Sequence, residues 1–113
     1  MDFSVSTRTE DDTTIVAVTG DIDLYTSPRL QEQLAALIDS GASELVVDLS
    51  NVPFLDSTAL GALVGARKDA MERGGSITLA GAQNNVVKVL RVTKLTEVFA
   101  MHDSVADALS ATH

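Results

Sequence analysis

At 113 residues with no cysteine and a net charge of −8, the chain has the length of one domain able to bury a core, and it lacks ligands for a disulfide, a thiolate zinc site or a cysteine nucleophile. Residues 1–50 hold ten acids against Arg8 and Arg29, while residues 51–113 hold six charges of each sign. Such a surface argues against nucleic acid and suits a partner with a basic face.

Phe3, Val5 and Thr7 alternate with polar residues, and Thr14-Ile15-Val16-Ala17-Val18 is β-branched and apolar, so the acidic turn Glu10-Asp11-Asp12 between them predicts a hairpin. Gly20-Asp21-Ile22-Asp23 breaks the second strand, and Ser27-Pro28 opens a helix whose Leu30, Leu34, Leu37 and Ile38 share one face before Gly41 stops it. Leu45-Val46-Val47-Asp48-Leu49 is apolar at nearly every position, the pattern of a buried central strand. A second helix over residues 57–73 is expected to turn Leu60, Leu63, Val64 and Met71 inward and to end at Gly74-Gly75.

The same rhythm continues with a strand at Ile77-Thr78-Leu79, a short helix from Asn85 to about Val92 and a fifth strand at Val98-Phe99-Ala100-Met101. A last helix from Ser104 to Ser110 is capped by Ser104 and Asp107. The order ββαβαβαβα predicts a single α/β domain over residues 1–113, with a mixed, mostly parallel sheet of about five strands, about four helices and the first strand as the antiparallel edge. The longest apolar run, Ala59 to Ala66, is interrupted by Gly61 and Gly65 and falls far short of a bilayer span. The N-terminus has no basic-then-apolar leader, so a soluble cytoplasmic protein without membrane attachment is expected.

Chemistry concentrates at Asp56-Ser57-Thr58, two adjacent hydroxyls at a helix start that follows an apolar strand. Free N–H groups and the positive dipole end suit a phosphoryl group there, while Asp56 or Ser57 serves equally as an ordinary N-cap. Asp21, Asp23 and Asp56 could gather around magnesium, but loop carboxylates bonding their own backbone explain the first two more simply, and no metal or other cofactor is expected. No phosphate-binding loop, nucleophile elbow or zinc-protease motif occurs, and a Ser57 triad would need His102, one of two histidines with His113, to fold back beside it, so the chain does not read as an enzyme. Gly61 and Gly65 lie four apart on the second helix, which fits either close internal packing or an approaching partner; Gly61, one turn from Ser57, is placed nearer the interface.

Gly20-x-x-Asp23, the Leu30/Leu34/Leu37 helix, Leu45-Val46-Val47-Asp48-Leu49-Ser50, Phe54-Leu55-Asp56-Ser57-Thr58-Ala59-Leu60-Gly61, Gly74-Gly75-Ser76-Ile77-Thr78-Leu79 and Leu95-Thr96-x-x-Phe99 together resemble the STAS domain of bacterial anti-sigma-factor antagonists. The resemblance covers nearly the whole chain and implies a STAS fold. It implies Ser57 as phosphoacceptor for an anti-sigma factor with serine kinase activity, a serine phosphatase that resets it, and Asp23 near the partner or its nucleotide. Asp21, Asp23, Asp56, Ser57, Thr58 and Gly61 form the implied partner-binding set, with Thr58 as a second acceptor position. Thr58-Ala59 stands where many members read Ser-Ser-Gly or Ser-Thr-Gly, a change that leaves the acceptor hydroxyl in place. The alternative is a STAS scaffold or complex subunit that is not phosphorylated.

Overall fold

The expected hairpin forms between β1 (Ser4–Glu10) and β2 (Thr13–Thr19), paired antiparallel from Ser4 opposite Thr19 to Glu10 opposite Thr13. Asp11 in the turn takes φ 54°, a left-handed conformation that aspartate tolerates because its short side chain can bond locally. The computed structural model describes residues 2–112; Met1 and His113 lie outside the described residues.

Parallel strands β3 (Glu44–Asn51), β4 (Ser76–Ala80) and β5 (Ala100–His102) extend the sheet in the order β1-β2-β3-β4-β5. Each crossover advances one strand in the same direction, so a constant hand puts α1 (Ser27–Asp39), α2 (Ser57–Glu72) and α3 (Asn84–Val92) on one face. They cover the larger core, which includes Val16, Val18, Leu45, Val47, Leu49 and Leu79 from the sheet with Leu34, Leu63 and Leu90 from the helices. The opposite face carries a small cluster of Ile15, Val46, Ala80 and Ala108, covered by α4 (Val105–Thr112). The Asp107 N–H donates to Ser104 Oγ at 3.0 Å, the expected cap. Among the described residues no helix is long and apolar enough to cross a membrane.

Two expectations are corrected. The fifth strand begins at Ala100, not Val98, because Leu95–Glu97 form a 3-10 turn and the Phe99 N–H bonds the Leu95 carbonyl at 2.9 Å, which curls Val98-Phe99 out of line with β4. On α2 the core-facing residues are Ala59, Ala62, Leu63, Ala66 and Ala70, while Val64 and Met71 are 40% and 51% exposed and Leu60 is half-buried. Val64 and Met71 each lie about 100° around the helix from Leu63 and Ala70, so burying the alanine row turns them outward. Gly61 and Gly65 are exposed, and a Cβ built on either would have no neighbour within 4 Å, so neither packs against the sheet or another helix.

Candidate functional site

Two loops are stitched together at the carboxyl side of β2 and β3. Gly20 N–H donates to Asn51 O (2.9 Å), Ile22 N–H to Phe54 O (3.0 Å) and Asp56 N–H to Ile22 O (3.1 Å), making an isolated parallel bridge between Ile22 and Leu55. Extended chains alternate sides. Ile22 and Leu55, 0% and 2% exposed, plug the core, and their neighbours Asp21, Asp23, Phe54 and Asp56 are turned toward the surface or its margin.

The first loop closes on itself. Asp23 Oδ1 accepts from the N–H groups of Tyr25 (2.9 Å) and Thr26 (3.0 Å), and Thr26 Oγ1 accepts from the Asp23 N–H (2.9 Å) and donates to Asp21 O (2.8 Å). Asp23 thus acts as a loop carboxylate bonding its own backbone, and the turn it makes leads into α1 with Pro28 in the first helical turn. Asp21 is exposed, and among the described residues no three ligand-type side chains group to hold a metal. His102 lies in a groove beside β5 with Arg91 and Asp103, a groove that contains no residue of the Ser57 loop.

The second loop resolves the capping question in favour of Asp56. Its Oδ1 accepts from the N–H groups of Thr58 (2.9 Å) and Ala59 (3.2 Å) and from the Thr58 hydroxyl, so two of the four orphan donors of α2 are satisfied by a residue outside the helix. Ser57 is therefore the first helical residue; it is exposed, and among the described residues its hydroxyl has no hydrogen-bond partner. Thr58 is half-buried and its hydroxyl is committed to Asp56. The side-chain hydrogen bond from Thr58, helped by the backbone N–H groups of Ala59, Thr58 and Leu24, holds the Asp56 carboxyl below its ordinary value against a smaller opposing effect of desolvation.

That depression has a signed consequence. A carboxyl whose folded value is lowered contributes stability that is present above its unfolded value of about 3.9 and lost as pH falls through the lower folded value. Asp56→Asn keeps an acceptor for the cap and takes up no proton. The thermal midpoint of the wild type is therefore expected to fall more steeply below about pH 4 than that of Asp56→Asn; superimposable profiles would mean that the charge of Asp56 contributes nothing.

Three features of the site escaped the sequence reading. Leu24, Tyr25 and Phe54, on the two joined loops, are 62%, 83% and 49% exposed, and their only signal is that large apolar residues stand inside two polar turns. Two bonds also tie the start of α3 to this region: Gln83 Nε2 donates to Ser50 O near the end of β3 at 3.0 Å, and Asn85 Nδ2 donates to Pro53 O in the second loop. These bonds span 33 and 32 residues and have no local signature. Asn85→Ala should cost about 1 kcal/mol in chemical denaturation, the typical net contribution of one such bond.

Comparison with known proteins accords with this arrangement. Residues 4–108 match the STAS domain family. The chain is 30% identical over 103 residues to an anti-sigma-B factor antagonist of Staphylococcus epidermidis, covering 91% of this chain and 95% of that protein. An anti-sigma factor antagonist from Mycobacterium paratuberculosis, 26% identical, superposes with a TM-score of 0.86 over 97% of this chain and 93% of its own. The Bacillus cell fate determinant SpoIIAA, solved in its phosphorylated form, shares the fold at 17% identity, with a TM-score of 0.76 over 99% and 100% of the two chains. Such antagonists are regulatory binding proteins rather than enzymes. A five-strand mixed sheet, an Asp-capped helix that leaves the next serine free, and a family match over nearly the whole chain together establish that this protein belongs to the STAS domain family.

Proposed function

We propose that this chain is a cytoplasmic anti-sigma-factor antagonist. In this reading its unphosphorylated form binds an anti-sigma factor that is also a serine kinase and frees the sigma factor, phosphorylation of Ser57 ends the binding, and a serine phosphatase restores it. The observation that carries the reading is the division of labour at the start of α2: Asp56 caps the helix, Thr58 is tied to Asp56, and Ser57 is left exposed with an unengaged hydroxyl. A serine needed only as a cap, as a constitutive scaffold would use it, has no place here because Asp56 already fills that position. Incubation with the kinase and magnesium ATP followed by peptide mapping should put phosphate on Ser57; label on Thr58 or Ser50 with none on Ser57 would overturn the assignment.

The partner surface then comprises Asp21, the loop shaped by Asp23, Asp56-Ser57-Thr58 and the outward face of α2 at Gly61, with Leu24, Tyr25 and Phe54 as apolar anchors. Large aromatic side chains that are exposed alone and covered in a complex carry much of an interface's energy. Tyr25→Ala should weaken partner binding by roughly tenfold to a hundredfold while the unfolding midpoint stays near wild type, because Tyr25 is 83% exposed. Gly61→Gln should abolish or sharply weaken binding without loss of stability, since the added side chain projects into open space and losing a helical glycine favours the helix. A Gly61→Gln protein that binds normally would remove Gly61 from the interface.

A further inference from the structure

Away from the Ser57 surface, a groove of about 500 Å³ runs between α3 and β5, within the size range of small-molecule sites. Val87, Phe99 and Met101 contribute apolar lining, and Arg91, Thr96, His102 and Asp103 supply polar groups, so the groove is a mixed surface that offers both an apolar wall and a cation. Arg91 is available. Arg8 and Arg73 are ion-paired, and Arg29 and Arg67 lie over the rings of Phe3 and Phe99 at 5.0 and 5.9 Å. Among the described residues Arg91 is thus the one arginine with neither kind of partner, although Asp103 lines the same groove.

Local charge points the same way. Residues 83–96 contain Lys88, Arg91 and Lys94 and no acid, in a chain whose net charge is −8, with Glu97 directly after them and Asp103 in the groove itself. Lys88 and Lys94 are exposed and make no ion pair among the described residues. A guanidinium presents a planar fork that matches carboxylate and phosphate oxygens, and flanking lysines raise the local concentration of anions. Asp103 disfavours ligands with several anionic groups.

We propose that the groove between α3 and β5 is a binding site for a small organic anion, with its carboxylate or phosphate on Arg91 and its apolar body against Val87 and Met101. The site shares no lining residue with the Ser57 surface and stands or falls independently of the antagonist reading.

Amide NMR titrations of the full chain with phenyl phosphate, benzoate and inorganic phosphate at constant ionic strength test it. Saturable shifts centred on Val87, Arg91, Thr96, Met101 and His102 are expected with phenyl phosphate or benzoate, and the tighter of the two identifies the anionic group. Inorganic phosphate should bind roughly fivefold or more weakly because it lacks the apolar body. Arg91→Gln, at an exposed position, should retain the wild-type unfolding midpoint and lose roughly fivefold or more in affinity, whereas Lys68→Gln should leave it unchanged. Shifts that do not saturate, inorganic phosphate binding as tightly as both aromatic probes, or equal affinities for wild type and Arg91→Gln would each overturn the proposal.

Discussion

Ser57→Asp should bind the anti-sigma partner one to two powers of ten more weakly than wild type, and Ser57→Ala should bind like wild type. The alanine variant removes a hydroxyl that is exposed and makes no hydrogen bond, so its stability should change by no more than about 0.5 kcal/mol. The aspartate variant adds a charge beside Asp56, which is a carboxylate at neutral pH as any ordinary aspartate is. With an effective dielectric of about 20, a unit charge meeting one acidic partner group at ~6 Å is repelled by roughly 2–3 kcal/mol before screening. A phosphate, carrying roughly −1.5 to −2 charges, acts more strongly than the carboxylate that mimics it. Titration calorimetry at two ionic strengths checks both the size and the origin of the effect, since an electrostatic difference must shrink as salt rises. Equal affinities for all three proteins at low salt would count against the switch.

The largest effect on stability is expected at Gly75. A Cβ there would lie 2.1 Å from the carbonyl oxygen of Ser43 and 2.9 Å from its carbonyl carbon, a clash with backbone that no side-chain rotation relieves. The same Ser43 oxygen accepts the Ser76 N–H at 2.8 Å, beside the Glu44–Ser76 pair that starts the β3–β4 register, so relief must come from prying apart the first bond between two central strands. Gly75→Ala should therefore cost about 3 kcal/mol or more, the upper part of the overpacking range, and lower the thermal midpoint by at least about 12 °C for a domain of this size. Gly61→Ala is the control. That position is open, and the change should stabilise by about 0.5–1 kcal/mol. Similar midpoints for the two variants in thermal denaturation would show that the β3 chain yields to the extra methyl.

Where a pattern is carried by many residues, as in the alternation of β1, the unbroken apolar run of β3 or the Pro28 and Gly41 that bracket α1, the sequence predicts the element and its place in the sheet. The reading fails on α2 because it ranks residues by apolar size. Leu63 is buried and Leu60 packs against the core as expected. Val64 and Met71 outweigh the alanines in any such ranking, yet Ala59, Ala62, Ala66 and Ala70 take the buried places beside Leu63, a matter of packing against neighbours that no single segment encodes. The candidate site divides in the same way. A cap drawn from Asp56-Ser57 and the Asp23 turn follow from local chemistry, whereas the choice of Asp56 as the cap is made only by the hydrogen bonds of the folded loop. The pairing of Ile22 with Leu55 and the reach of Gln83 to the end of β3 and of Asn85 to the second loop depend on which crossover lands beside which, so the loops that carry Leu24, Tyr25 and Phe54 are joined only in three dimensions.

The idle hydroxyl of Ser57 bears on the lifetime of the protein in the cell. Esterifying an oxygen that holds nothing together would break no bond of the fold, so the modified and unmodified chains would differ in conformational stability only by repulsion from Asp56 set against the attraction of the α2 N-terminus for the phosphate, two effects that oppose each other. Quality-control proteases act on the small unfolded fraction, which is set by that stability, and would then clear the two forms at nearly equal rates. The ratio of the forms would be governed by kinase against phosphatase alone, with no bias from turnover, and the pool could be converted back and forth without resynthesis.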